Sequence, residues 1–501
     1  MTAVTTAPDW KARAERVDIR RQAFIDGEFR DAHNGETFSC ISPIDGRLLG
    51  AVASCTAADV DRAVAGARAA FDSGVWSRRA PKERKSVLLR LALLIEANRD
   101  QLALLETLDM GKPISDSYTV DVPLAAECVQ YYGEAIDKLY DEIAPTGPSA
   151  VSMIYREPLG VVAAVVPWNF PLMMACWKVA PALAAGNSVV LKPAEQSPLS
   201  ALRLAELAAE AGVPPGVLQV LPGDGPGAGM PLGLHADVAM VAFTGSTEVG
   251  KLFLRYAGES NMKRVALECG GKSPQIILPD CGDLQAAATA AAWGVFFNQG
   301  EVCNAGSRIL VHPDVKDEFM SLLMATAREI EPGDPLHPDT KFGAMVDQTQ
   351  TERVLSYIDS GRREGAELVL GGSQTRTATG GYYIEPTIFD GVGNDMRIAR
   401  EEIFGPVLAT IDIESEADAV SVANDTIYGL TASVWTDNID RAHRMARAIR
   451  AGVVWVNTFD AGDISSPFGG FKQSGFGRDK SIHALEKYSD LKAVWIGLRS
   501  H

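Results

Sequence analysis

Val238-Ala239-Met240-Val241-Ala242-Phe243-Thr244-Gly245-Ser246-Thr247-Glu248-Val249-Gly250-Lys251 passes from an apolar run through a glycine turn into a helix-compatible segment. Residues 238–243 read as a buried strand, and a helix fits from about Glu248 to Tyr256. A helix that opens directly after a strand presents unpaired backbone N–H groups and suits an anion. Gly245 to Lys251 matches the first seven positions of a nucleoside-triphosphate loop, but Leu252 stands where the Mg²⁺-binding hydroxyl belongs. Glu248 inside the turn would repel a triphosphate as well. A less charged pyrophosphate fits this turn better.

Strands and helices alternate on both sides of this stretch. Val161-Val162-Ala163-Ala164-Val165-Val166, Ser188-Val189-Val190-Leu191, 217–221, 264–267 and 275–278 read as strands. Ser197 and Pro198 open a helix that Gly212 closes, and Thr56 with Asp59 forms a capping-box pair for a helix over Thr56 to Phe71. This rhythm predicts βαβ units and a mostly parallel sheet. Gly223-Asp224-Gly225-Pro226-Gly227-Ala228 matches Gly-x-Gly-x-x-Ala, either as a dinucleotide fingerprint or as a surface turn, because no helix plainly follows its prolines.

The chain has 501 residues, 47% of them hydrophobic, enough for two or three domains. Its net charge of −17 argues against nucleic acid or an anionic membrane as the main partner. Pro158 to Trp177 carries no charge over a membrane-span length, but Pro167 and Pro171 would break a helix there. Seven scattered cysteines without Cys-x-x-Cys fit a reducing compartment, and Met1 to Arg21 lacks the apolar core of a secretory signal, so a cytoplasmic protein is expected. Histidine spacing shows no metal site.

Two stretches carry chemistry. An Ala-rich apolar helix from Ala286 to Phe297 stops at Asn298-Gln299-Gly300, and Cys303 sits in the turn beyond. Upstream, Glu268 precedes Cys269-Gly270-Gly271-Lys272, where the glycines allow close backbone approach. A thiol nucleophile with a separate carboxylate base suffices for covalent acyl chemistry.

Pro167-Trp168-Asn169-Phe170-Pro171, Lys192-Pro193-Ala194-Glu195, Phe243-Thr244-Gly245-Ser246-Thr247, Glu268-Cys269-Gly270-Gly271-Lys272, the Cys303 segment, Glu401-Glu402-Ile403-Phe404-Gly405-Pro406 and Pro467-Phe468-Gly469-Gly470 resemble, in order, the motifs of the aldehyde dehydrogenase superfamily. The resemblance runs from about Ile25 to Ile496. The tail from Ser474 to Tyr488 is most similar to bacterial γ-glutamyl-γ-aminobutyraldehyde and 4-guanidinobutyraldehyde dehydrogenases of polyamine and arginine breakdown.

The resemblance implies a thiohemiacetal and then a thioacyl enzyme on Cys303, an oxyanion held by Asn169, a water activated by Glu268, and a proton relay through Lys178, with the polar face of a helix as the alternative for Lys178. The other relay position, often Glu in the family, is Asp479 here. NAD is the implied cofactor and NADP the less favoured one, because a carboxylate at Glu195 repels a 2′-phosphate. The implied cofactor set is Val166, Trp168, Lys192, Glu195, Gly225, Gly229, Phe243, Thr244, Gly245, Ser246, Glu402 and Phe404. Phe170, Trp177, Phe459 and Phe468 align with an aldehyde tunnel, with plain core packing as the alternative for each. Asp121, Glu301 and Asp460 are expected near that tunnel, where they would favour an ω-amino, guanidino or γ-glutamyl-amino aldehyde; solvated surface charge is the alternative.

The competing functions are a broad-range aliphatic aldehyde dehydrogenase and a CoA-acylating semialdehyde dehydrogenase. The expected fold is α/β. A Rossmann-like NAD-binding domain would cover 19–138 and 160–267, and an α/β catalytic domain 268–478. A small β oligomerisation domain would cover 139–159 and 479–501, making a homodimer or homotetramer.

Overall fold

A computed structural model describes residues 8–499. Residues 1–7, part of the stretch read as lacking a secretory signal, and 500–501, the end of the expected oligomerisation segment, lie outside it.

The strand Val238–Gly245 lies near one end of an eight-stranded sheet. The strands run in the order Glu28–Arg30, Ala23–Ile25, Leu218–Val220, Ser188–Lys192, Val161–Val165, Val238–Gly245, Arg264–Cys269 and Gly475–Phe476. The five from Leu218–Val220 to Arg264–Cys269 are parallel, and antiparallel strands pair on either side of them. From Val161–Val165 the chain adds two strands on one side, then returns to place Val238–Gly245 on the other. The switch point therefore lies between these two strands, and the crevice above their C-terminal ends is where parallel sheets bind ligands.

Val161–Val165 and Ser188–Lys192 are buried along their whole length, which explains their uninterrupted apolar sequences. Alternating helices cover the faces of this sheet. Ala57–Ser73 begins with the expected Thr56–Asp59 capping box. Leu199–Ala211 begins differently: Pro198 holds the N-cap position, and the Ser197 hydroxyl donates to the Trp168 carbonyl. Ser197 thus braces the turn after Val161–Val165 rather than capping a helix. Gly225–Gly229 forms a π-helical turn that does lead into a helix, Met230–Leu234, which the prolines had concealed.

A second sheet has seven strands, in the order Glu367–Leu370, Thr387–Asp390, Val407–Asp412, Arg308–Val311, Pro274–Ile277, Thr431–Trp435 and Val453–Val456. All its pairings are parallel except the outermost one, between Glu367–Leu370 and Thr387–Asp390. Two apolar clusters pack against this sheet, one containing the helix Leu284–Phe296 and the other Gln348–Glu364. Ser489–Gly497, Ala150–Pro158 and Glu142–Ala144 form a separate three-stranded antiparallel sheet. Among the described residues no helix is long and apolar enough to cross a membrane.

Candidate active site

A cavity of about 740 Å³ lies between the two large sheets, and Cys303, Glu268 and Asn169 all line it. Each arrives from a different strand end. Asn169 follows Val161–Val165, Glu268 ends the Arg264–Cys269 strand, and Cys303 stands in the turn before Arg308–Val311.

The Cys303 turn is held by an unusual backbone. Helix Leu284–Phe296 ends, and Asn298, Gln299 and Gly300 all take left-handed conformations, with φ of 48°, 57° and 74°. Such strain persists only where neighbours enforce it. The Asn298 amide donates to the carbonyls of Asn169 and Glu301 at 3.2 Å each, and Gln299 accepts from the Gly343 N–H at 2.9 Å. A side chain on Gly300 would meet the Gly405 carbonyl at 2.3 Å. The Asn169 Nδ2 in turn donates to the Glu301 carbonyl at 2.7 Å, leaving its second N–H free among the described residues.

Burial sets the electrostatics. The Cys303 thiol is partly exposed but deeply surrounded by protein, and burial followed by the Glu268, Glu402 and Asp460 carboxylates pushes its pKa well above the ordinary thiol value. Burial, with the Asp479 carboxylate adding, raises Glu268 to about 8. Its Oε1 has no protein partner among the described residues. Behind it, Lys178 and Lys487 both pair with Asp479, and these two ammonium groups outweigh burial to hold the Asp479 carboxyl below its usual range. The structure thus joins Lys178 to Asp479.

On one side of these three residues the lining comprises Trp168, Thr244, Gly245, Ser246, Glu402 and Phe404. Ser246 caps helix Thr247–Glu259 by accepting from the Val249 N–H, so that helix opens onto the cavity. Gly270 leaves space for Glu402: a Cβ there would lie about 2 Å from both carboxylate oxygens, and the Gly271 N–H donates to Glu402 at 3.2 Å. Phe404 takes φ of 60°, held by Gln350 donating to its carbonyl, and meets Trp168 edge-on at 5.1 Å. The Thr244 hydroxyl is buried without a partner among the described residues.

Switch-point crevice, helix N-terminus, glycine-made space and orphaned hydroxyl together fit a dinucleotide. Lys192 and Glu195 lie outside the cavity lining, 3.4 Å apart beyond strand Ser188–Lys192, and a Cβ on Gly229 would touch the Lys192 stem at 3.8 Å. Gly225 is exposed and also outside the lining. Val166 and Phe243 are outside the cavity lining as well, buried in apolar core, with Phe243 against Phe253 at 5.1 Å.

On the other side Phe170, Trp177, Phe459 and Phe468 line the cavity as expected, with Trp177 and Phe468 edge to face at 5.6 Å. Of the three expected acids only Asp460 is present there, accepting from the Asn304 amide at 2.6 Å. Asp121 is fully buried and paired with Lys112. Glu301 is fully buried too and accepts from the Val346 N–H at 3.1 Å, so it anchors the turn instead of facing a ligand. Glu127, Asp463 and Lys480 line the cavity without having been found in the sequence. Glu127 stands six residues beyond Asp121, further along the same helical stretch, and no motif marks it. Gln350 and Arg353, one helical turn apart on Gln348–Glu364, escaped notice for the same reason.

The chain is similar to known proteins over nearly its whole length. The NADP/NAD-dependent aldehyde dehydrogenase PuuC of Escherichia coli (strain K12) is 51% identical over 491 residues, 98% of each chain. A solved indole-3-acetaldehyde dehydrogenase complexed with NAD⁺ is 60% identical, over 98% of this chain and 99% of its own, with TM-score 0.97. The γ-glutamyl-γ-aminobutyraldehyde dehydrogenase of Burkholderia cenocepacia is 58% identical over the same shares, also with TM-score 0.97. A model of the aldehyde dehydrogenase family matches residues 29–494, nearly the whole chain, and the chain belongs to that family.

Proposed function

We propose that the protein oxidises an aldehyde bearing an amino-type tail to the carboxylic acid, with NAD as hydride acceptor. The observation that carries this reading is one cavity holding a thiol, a free amide N–H and a buried carboxylate, between a dinucleotide-compatible crevice and an aromatic channel. Cys303 gives its proton to the Glu268 carboxylate, which releases it to solvent before the hydrolytic step. Cys303 Sγ adds to the aldehyde carbon, and the new oxyanion accepts from the Asn169 N–H and the Cys303 backbone N–H. Collapse of the oxyanion would break the aldehyde C–H bond and expel its hydrogen as hydride, for which NAD, when bound, would supply the acceptor, leaving a thioester on Cys303. Glu268 then takes a proton from water, hydroxide attacks the thioester, and the carboxylate leaves as the Cys303 thiol is restored. Lys178 and Lys487, both paired with Asp479, act on Glu268 through space and favour its ionised form, and Glu268 releases its proton to solvent.

The tail assignment rests on Asp460, joined by Glu127 and Asp463, at the aromatic end of the cavity. The Burkholderia relative's γ-glutamyl-amino substrate supports it. Following NADH absorbance with 4-guanidinobutyraldehyde, 4-aminobutyraldehyde and a neutral four-carbon aldehyde tests the reading. Preference for the two cationic aldehydes supports it, and equal kcat/KM for all three replaces it with a broad-range enzyme.

The eight-stranded unit would hold the cofactor and the seven-stranded unit would present the thiol. The three-stranded sheet would pair with another subunit, because its strand Ser489–Gly497 is an edge bearing exposed Leu491 and Trp495.

A further inference from the structure

Two cations line the cavity, Arg353 and Lys480. Arg353 is occupied, donating to the Glu402 carbonyl at 3.1 Å and lying over the Tyr357 ring. Lys480 is not. Among the described residues its ammonium makes no ion pair and no hydrogen bond; Nζ lies 5.8 Å from the Trp177 ring and 3.4 Å from where a Cβ on Gly462 would stand.

Its backbone is nevertheless placed with care. Lys480 and Ser481 both have left-handed φ, 59° and 52°, a costly pair for residues with side chains. Anchors on both sides impose it. Asp479 exchanges backbone hydrogen bonds with Phe468 at 2.7 and 2.8 Å and is clamped by Lys178 and Lys487, while the Ser481 N–H donates to the Ile464 carbonyl at 2.6 Å. The buried acid thus sets the direction of the next side chain.

Around this ammonium stand Asp460, Asp463 and Glu127, near enough to act on it through space but not paired with it. Asp460 and Asp463 each have other donors, the Asn304 amide and the Ser465 N–H. Opposite charges are therefore held apart across an open space. A purely cationic tail entering there would meet Lys480, and a purely anionic one would meet three carboxylates. A tail bearing both signs would satisfy both.

We infer that Lys480 is a specificity-determining residue that binds a carboxylate at the far end of the aldehyde, while the neighbouring acids take an adjacent ammonium. The favoured tail is thus an α-amino acid head rather than a simple amine. This rests on the amino-tail reading above and narrows it.

The test uses two aldehydes of equal length, both with a terminal ammonium: γ-glutamyl-γ-aminobutyraldehyde, and its analogue in which hydrogen replaces the α-carboxylate. The wild-type enzyme is expected to favour the carboxylated aldehyde by about tenfold in kcat/KM, mainly through KM, the factor that about 1.4 kcal/mol represents. Lys480→Gln should bring the ratio to near one, and Lys480→Arg should preserve it. A wild-type ratio near one, an undiminished ratio in Lys480→Gln, or a ratio lost in a folded Lys480→Arg overturns the assignment. Should Lys480→Gln fail to fold, the wild-type and Lys480→Arg ratios decide. A separate comparison of 4-aminobutyraldehyde with butyraldehyde on the wild type reports on the amine reading alone, so the two can fail independently.

Discussion

The Asn169 amide is aimed by its neighbour: the Glu301 carbonyl takes one amide hydrogen and leaves the other for an oxyanion. Asn169→Ala should lower kcat by roughly 10²–10³, the usual loss of an oxyanion donor, measured by steady-state kinetics at saturating NAD. Glu268 carries a prediction in pH. Burial first, then Asp479, raises its pKa to about 8, so it is neutral below that value and ionised above it. A step that needs the carboxylate as base should therefore speed up as pH rises through about 8 and level off beyond. Single-turnover hydrolysis of the thioacyl enzyme measures this limb, and Glu268→Gln should flatten it. Charge identity was visible in the sequence, whereas burial was not: Asp121 and Glu301 have the right sign but lie in closed protein, and Glu127, Asp463 and Lys480 took their place at the cavity.

At the scale of elements, strand and helix alternation was legible because buried parallel strands such as Val161–Val165 are continuously apolar and the helices carry glycine stops. What escaped was made by tertiary contact. Ser197 had the chemistry of a cap but found the Trp168 carbonyl, and the helix after Gly225–Gly229 was hidden by prolines that its first turn accommodates. Gly270 illustrates the opposite case, a glycine legible in the sequence only as a point of close approach. What approaches is the Glu402 carboxylate, about 2 Å from where a Cβ would stand. Gly270→Ala should displace Glu402 and raise the KM for NAD by roughly ten- to a hundredfold, as overpacking of about 1–3 kcal/mol implies. A coenzyme titration by initial rates checks it, and an unchanged KM would separate Glu402 from the coenzyme.

The whole molecule brings three sheets into one device, and two of the consequences are measurable. The edge strand Ser489–Gly497 exposes Leu491 and Trp495 at 65% and 68%, far more than a lone chain would gain from leaving in water. Light scattering should find a dimer or larger assembly, and Trp495→Glu should shift it toward monomer. The reaction itself passes through a bond that can be weighed. Incubating the Glu268→Gln enzyme with aldehyde and NAD, then digesting and weighing the peptides, tests the covalent route most directly. The expected result is one acyl group per chain, on Cys303, with one equivalent of NADH formed and neither product in Cys303→Ala. An acyl group on another residue, or NADH formed at a normal rate by Cys303→Ala, would contradict it.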